Sequence, residues 1–432
     1  MLRRTGHAHH RRPRRLLRRL LTDVPTTKAG VAATGTGVRS RPRAVLPALC
    51  ATQITSWGVV YYAFPVLNSR ITADTGWSPT TTTAAFSGAL LVSALAGIPI
   101  GRILDRRGPR AVMTTGSVLA VLSLLTIAHA PNLATFVAGW LLAGTAMAAT
   151  FYHPAFAALT RWWGDDRVRA LTVVTLAGGL ASTVFAPLTA ALAEHFSWRT
   201  TYTVLAVVLG VITIPAHALA LRSPWPSAPT AAGQSLTPAP PVARSRPFLL
   251  LAAALTLSGF AMYAVVMGLV PLLTERGATT TEAAWALGLG GAGQTLGRTL
   301  YATVARHTSV TARTAALVAA GGATTAALAL IPGPLPLLVL LAVIAGTVRG
   351  NLTLLQATAV TDRWGTTHYG RLSGLLSAPA SITAALAPFA GAALAGPLGG
   401  YPALFLLLAA FSLAAALLAL GTKTPRELVQ SS

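Results

Sequence analysis

The decapeptide Gly101-Arg102-Ile103-Leu104-Asp105-Arg106-Arg107-Gly108-Pro109-Arg110 holds four arginines and one acid between two apolar runs, 80–101 and 111–129. A bilayer's hydrocarbon core is about 30 Å thick and takes roughly 20 apolar residues of helix to cross. Each flanking run is long enough to span it, and the arginines between them stay in water. Gly101 and Gly108 allow close packing and a tight turn. Asp105 can sit against the positive N-terminal end of a neighbouring helix.

Outward from this loop, similar runs recur at 45–67, 133–157, 170–192 and 200–221. Beyond a Pro/Ala/Ser-rich stretch, Ser223–Pro247, they continue at 248–273, 282–303, 312–331, 335–358, 372–394 and 400–421. Composition agrees: 53% of the residues are hydrophobic and 10% charged, where a soluble domain carries about a quarter charged. The surplus apolar residues therefore face lipid. The expectation is an all-α membrane protein of twelve transmembrane helices. Its parts would be a basic N-terminal segment (1–43), a six-helix bundle (44–222), a linker (223–247), a second six-helix bundle (248–421) and a short tail (422–432).

The net charge of +23 would suggest nucleic acid in a soluble protein. Here 12 of the 33 Lys/Arg precede residue 44 and most others sit in short loops, so no phosphate-binding face can form and nucleic acid is not expected. Placing the N-terminus in the cytoplasm puts 29 Lys/Arg on the cytoplasmic side, against Arg70, Arg199 and Arg276 outside. That is the bias of a multi-pass plasma-membrane protein with both termini cytoplasmic. In the N-terminal segment, Leu16, Leu17, Leu20 and Leu21 share one helical arc and Arg14, Arg15, Arg18 and Arg19 the other. This suits either a short helix on an anionic leaflet or a basic tail that only fixes topology. The single cysteine, Cys50, excludes a disulfide framework and a thiolate metal cluster.

The chain also repeats itself. Gly144-Thr145 and Arg161-Trp162 recur 202 residues later as Gly346-Thr347 and Arg363-Trp364, and Ser56 and Tyr61 recur as Ser258 and Tyr263. Gly101-Arg102-Ile103-Leu104 matches Gly297-Arg298-Thr299-Leu300, which sets Tyr301 where Asp105 stands. Internal duplication of this kind is common in transporter folds.

The quoted loop resembles the signature G-x-x-x-D-R-x-G-x-R of the major facilitator superfamily, and the resemblance extends over roughly 44–421. It implies two pseudo-symmetric six-helix bundles that rock about a central site. It also implies a gating role for Gly101, Asp105, Arg106, Gly108 and Arg110, with Asp105 latching to span eleven near Gly370–Gly374. Span one, with Trp57-Gly58 and Tyr61-Tyr62, is similar to the branch of monocarboxylate and oxalate/formate carriers.

An ionisable residue inside a span costs roughly 2.5–3.5 kcal/mol on insertion scales and marks function by default. None of the ten acids falls well inside a span, and among the bases Arg349 does. With no buried acid beside it, an exogenous anion is its natural partner; a bond to backbone carbonyls is the plainer alternative. Gln53, Trp57, Tyr61 and Tyr62 of span one, Asn351 and Gln356 of span ten, Tyr263 of span seven and Gln294 of span eight complete the candidate binding set. His153 is a candidate proton carrier. Gly288–Gly293 spells G-x-G-x-x-G inside an apolar span and reads as small helix-packing residues rather than a dinucleotide loop.

No nucleophile–base set, metal-ligand spacing or ATP-binding motif is present, so neither an enzyme nor a cofactor is expected. The expectation is a monomeric secondary carrier of a small organic solute, with a carboxylate-type anion as the class that Arg349 favours, coupled to an ion such as a proton. A proton-coupled efflux pump and a non-transporting receptor are the alternatives.

Overall fold

The structure, a computed structural model, describes residues 42–225, 241–365 and 369–422. The Arg14–Leu21 arc, most of the linker and the C-terminal tail lie outside them. Twelve helical spans follow one another. α1 runs Val45–Ser56, continues through a π-helical turn Trp57–Tyr62 and resumes as Ala63–Thr75; α2 is Pro79–Arg107 and α3 Pro109–Ala128. α4 joins Leu133–Thr150 to Tyr152–Trp163, α5 joins Arg167–Gly179 to Ala181–His195, and α6 is Trp198–Ala220. The second half comprises α7 Arg246–Glu275, α8 Thr280–His307, α9 Val310–Leu330, α10 Leu335–Thr358, α11 Tyr369–Ala395 and α12 Tyr401–Leu420. Ten are long and apolar enough to cross a membrane. The other two, α1 and α8, have the length, but α1 is interrupted by its π turn and α8 is diluted by glycine, threonine and arginine. Among the described residues there is no strand.

Helix starts are written in the sequence. Ser78, Asn132, Ser197 and Thr279 stand immediately before α2, α4, α6 and α8, and each side chain accepts the N–H of the helix's third residue. Each satisfies a donor that the helix itself leaves unpaired. Glu282 returns a bond to Thr279 N–H, which closes a capping box on α8.

The packing follows the duplication. In the first bundle α2 packs on α4, α3 on α4 and α6, and α1 on α5 and α6; in the second, α8 packs on α10, α9 on α10 and α12, and α7 on α11 and α12. The two bundles meet where α5 lies on α8 and α2 on α11, and adding six to either pair gives the other. The crossings correspond too. A side chain at Gly144 would collide with the Ala89 carbonyl, and one at Gly346 with the Gly290 carbonyl. The small residues of α8 are therefore a packing face.

One sequence correspondence is out of register. α2 and α8 begin at Pro79 and Thr280 and end at Arg107 and His307, offsets of 201 and 200. Matching Gly101 to Gly297 slips the comparison by about one helical turn. Arg298 therefore lies inside α8 rather than in a loop, and Tyr301 is not the counterpart of Asp105.

At the end of the molecule away from the termini, the arginines that oppose the charge bias have structural work. Arg199 donates to the carbonyls of Ala128 and Ala130 at the end of α3, each at 3.0 Å. Arg276 donates to the Ala329 carbonyl at the end of α9, at 2.6 Å. These carbonyls have no partner within their own helices. Asp74 accepts from Trp198 Nε1 at 2.9 Å, and Glu275 accepts from Tyr401 N–H at 3.0 Å. The last bonds tie α1 to α6 and α7 to α12 in matching places.

The same end holds the two bundles together. Phe389 N–H donates to Ser87 Oγ at 3.0 Å, Thr80 Oγ1 to the Ala392 carbonyl at 3.4 Å, and Thr281 Oγ1 to Glu194 Oε1. Toward the termini, Gly97 and Gly101 of α2 and Gly374 of α11 face open space.

Candidate functional site

The centre of the molecule is built around the irregular part of α1. Gly58 is pressed against the Phe185 ring of α5, where any Cβ would overlap it. The helix widens to a π turn there, a feature that recurs at functional sites. The turn presents Trp57, Tyr61 and Tyr62 over one short stretch. Trp57 stacks on Phe151 at 4.1 Å between ring centroids and lies 5.2 Å from Tyr152. Phe151 is where α4 breaks, its backbone extended between the two helical pieces. Gln53 secures that break by donating from Nε2 to the Thr150 carbonyl at 2.7 Å. Its polarity serves the kink.

From the second bundle, α7 contributes Tyr263, which with Tyr62 packs against the apolar cores of both bundles. α8 and α10 contribute two arginines. Arg349 donates from Nε to Gln294 Oε1 at 3.2 Å, and its Nη2 is buried without a hydrogen-bond partner. Arg298, only 8% exposed, donates from Nη1 to the Thr175 carbonyl of α5, and its Nε is buried and unpartnered. Tyr152 is within hydrogen-bonding reach of Arg298, and Tyr263 lies in the electrostatic range of both arginines. Tyr61 lies in that of Arg349, with its own hydroxyl buried and unpartnered. Both arginines stand slightly past the middle of their helices toward the termini, by roughly 4 and 7 Å at 1.5 Å per residue. A cleft of about 590 Å³ between α7, α8, α9, α10 and α12 also reaches Arg349.

The structure thus brings together Trp57, Tyr61, Tyr62, Tyr263, Gln294 and Arg349. It separates the rest of the candidate set. Asn351 donates to the Thr347 carbonyl at 3.0 Å and lies on the α8–α10 seam beside Gly297. Gln356 sits about two turns past Arg349, facing Gly259 of α7. His153 is exposed and makes no hydrogen bond among the described residues. Arg298, Tyr152 and Phe151 were not among the candidates. Arg298 carried a legible signal, since it stands inside the run 282–303 and four residues after Gln294, on the same helix face.

Among the described residues, the ion pairs all lie at helix ends: Asp74–Arg199, Asp105–Arg161 and Arg313–Asp362. Among the described residues, no carboxylate bonds to Arg298 or Arg349. Each of the two buried guanidinium groups keeps an unpartnered donor, the chemistry with which arginine accepts an anion.

The Major Facilitator Superfamily model matches residues 49–346. The chain belongs to that superfamily. Monocarboxylate transporter 13 of Rattus norvegicus is 29% identical over 362 residues, 77% of this chain and 80% of that protein. Monocarboxylate transporter 11 of Homo sapiens is 33% identical over a shorter stretch, 40% of this chain and 36% of that protein. Among solved structures, an inward-facing bacterial homologue of the lysosomal transporter Spinster superposes with a TM-score of 0.71 at 14% identity, covering 92% of this chain and 99% of its own. The nucleoside transporter NupG gives 0.70 at 14% identity, covering 88% and 99%. These two likenesses concern the fold. The protein is a membrane transporter of the major facilitator type, not an enzyme.

The superfamily's signature loop has a different partner from the one its resemblance implies. Asp105 Oδ1 pairs with Arg161 at 2.7 Å, within its own bundle. Gly108 ends α2 with φ +79°, and Arg110 donates to the Ala218 carbonyl at 3.0 Å. The chain leaving α6 folds back over the loop. Trp225 lies on Gly108, donates from Nε1 to the Asp105 carbonyl at 3.1 Å and sits 4.5 Å beneath the Arg161 guanidinium. Trp162 donates to the Pro224 carbonyl at 3.1 Å. Trp225→Phe keeps the ring and loses the indole N–H, whereas Trp225→Ala loses both. The thermal unfolding midpoint in detergent should fall in that order, by a total equivalent to about 1–2 kcal/mol. An unchanged midpoint for Trp225→Ala would show the strap to be idle.

Proposed function

We propose that this protein is a secondary carrier that moves a small organic carboxylate across the cell membrane by alternating access. The observation that carries the reading is the pair Arg298 and Arg349, buried at mid-span without an acid and ringed by Tyr61, Tyr152 and Tyr263. A carboxylate offers two acceptors to the free Nε of Arg298 and Nη2 of Arg349. Trp57, Tyr62 and Tyr263 supply the apolar walls and hydroxyls that an organic anion needs. The names of the monocarboxylate transporters to which the chain is similar point to the same class.

With both termini in the cytoplasm, the end at which Gly97, Gly101 and Gly374 have open space beside them is the inward opening. Closing it would bring α2 against α11, with Gly101 and Gly374 allowing close approach and Asp105, Arg106 and Arg110 at the gate. The carrier then works as a monomer, one central site serving both bundles.

A thermal-shift series on purified protein tests the class. Pyruvate and its short-chain analogues should raise the unfolding midpoint saturably, while the matching neutral amides do nothing. Stabilisation by sugars, amino acids or amphiphilic cations, with none from carboxylates, would overturn the assignment.

A further inference from the structure

We propose that the cleft beside Arg349 is a pocket for the apolar tail of the transported carboxylate, so that the carrier prefers acids with a medium-length chain to short ones. The inference rests on the carboxylate reading above. The cleft, about 590 Å³, belongs to the second bundle alone: every residue that lines it comes from α7, α8, α9, α10 or α12. Its size falls within the roughly 300–1,000 Å³ of small-molecule pockets. Arg349 is the one charged residue in its wall. Three of its four hydroxyls, those of Thr324, Thr325 and Ser412, donate to carbonyls of their own helices. What the cleft offers a ligand is mostly carbon, with one guanidinium beside it.

The internal duplication shows that the fold does not impose this space. Val266, Leu287 and Ala342 line the cleft. They correspond to Phe64, Phe86 and Trp140 at offsets of 202, 201 and 202, the same offsets that relate Gly144 to Gly346 and Ala89 to Gly290. Those three rings are fully buried in the first bundle. Phe64 stacks on Phe86 at 4.6 Å between ring centroids, and Trp140 stands edge-on to them at 5.1 and 5.0 Å. The second copy replaces the rings by an isopropyl, an isobutyl and a methyl group. One bundle therefore has a solid centre, and the other has a cleft bordered by the residues that correspond to it.

A void in a core costs stability in proportion to its volume, and a void lined by carbon stays dry and takes an apolar guest. Arg349 selects a guest with an anionic head. With the carboxylate on the guanidinium, the substituent has the cleft next to it. A tail lodged in one bundle crosses no contact between bundles, so it travels with the second bundle when the halves rock.

The experiment is calorimetric titration of the purified full-length chain with straight-chain monocarboxylates from propionate to octanoate. The dissociation constant should fall by about two- to fourfold for each added methylene until the cleft is full. Ala342→Trp and Leu287→Phe restore the first bundle's residues one at a time. Both should bind propionate, and both should lose most of the gain with chain length. Leu287→Phe is the smaller change and carries the comparison where the tryptophan disturbs folding. A series that is flat in the unaltered protein, with propionate bound, would overturn the tail pocket and leave the carboxylate assignment standing. A gain that survives in the refilled variants would also overturn it, because the tail would then lie against detergent or another surface. If no acid of any length binds, the carboxylate reading falls and the tail pocket with it.

Discussion

Arg298→Ala is expected to abolish saturable carboxylate uptake, and Arg349→Ala to do nearly the same. Each guanidinium has one prong held by the protein and one buried donor left free, Nε of Arg298 and Nη2 of Arg349. A hydrogen bond to a charged group contributes about 1.5–3 kcal/mol, and at least one such bond disappears with each arginine together with the local charge. A loss of roughly a hundredfold in kcat/KM follows when both effects are counted. Arg298 should show the larger loss, because it is the more deeply buried and links α8 to α5 through the Thr175 carbonyl. Arg298→Lys separates charge from geometry. The ammonium keeps the charge but cannot hold Thr175 and a carboxylate oxygen in one planar fork. It should retain binding, as a thermal shift with pyruvate, while turning over slowly. If Arg298→Ala transports normally in vesicles, the anion site lies elsewhere.

The membrane spans were legible because a lipid-facing helix needs a long apolar run, and that demand leaves a mark wherever the chain crosses. The details at the centre were not, for three physical reasons. The π turn of α1 exists because Gly58 meets Phe185, a contact between residues more than a hundred positions apart. Arg298 has the charge of a loop residue although it stands within the run 282–303, and α8, which runs on to His307, sets it well inside the helix. Gln53 and Asn351 are polar and buried, but their amides serve the Thr150 and Thr347 carbonyls. Buried polarity in a sequence marks a need for a hydrogen bond, and only the fold says whether backbone or ligand supplies it.

The signature loop presents a different case. Its residues were located correctly at the α2–α3 junction, and Gly108 does make the turn that the motif implies. Asp105 faces Arg161 instead of α11, and the hydrogen bonds that join α2 to α11, from Phe389 to Ser87 and from Thr80 to Ala392, lie toward the opposite end. A carrier's sequence must serve every state of its cycle, whereas a single structure displays the contacts of one. Arg161 is the partner of Asp105 in the state that this structure displays.

Gly346→Val is expected to eliminate folded protein, the largest effect of any single change outside the site. α8 and α10 lie backbone to backbone. A Cβ at Gly346 would land on the Gly290 carbonyl, one at Gly350 on the Gln294 carbonyl, and one at Gly297 on the Thr347 carbonyl. These obstacles are main-chain atoms of rigid helices, so the collision cannot be relieved by a side-chain rotation. Overpacking of ordinary cores costs about 1–3 kcal/mol, and that range assumes neighbours that can move. Here the helices would have to separate along the whole seam, losing the packing that holds transmembrane helices together where lipid offers no hydrophobic drive. Separation would also carry Gln294 and Arg298 away from Arg349, so even a folded remnant should lose the anion site. Gly374→Ala is the matched control, since nothing lies within 4 Å of a Cβ there. It should elute as wild type in size-exclusion chromatography and melt at the same temperature. Gly346→Ala should already melt many degrees lower, and a wild-type melting point for it would mean that the seam is looser than these contacts require.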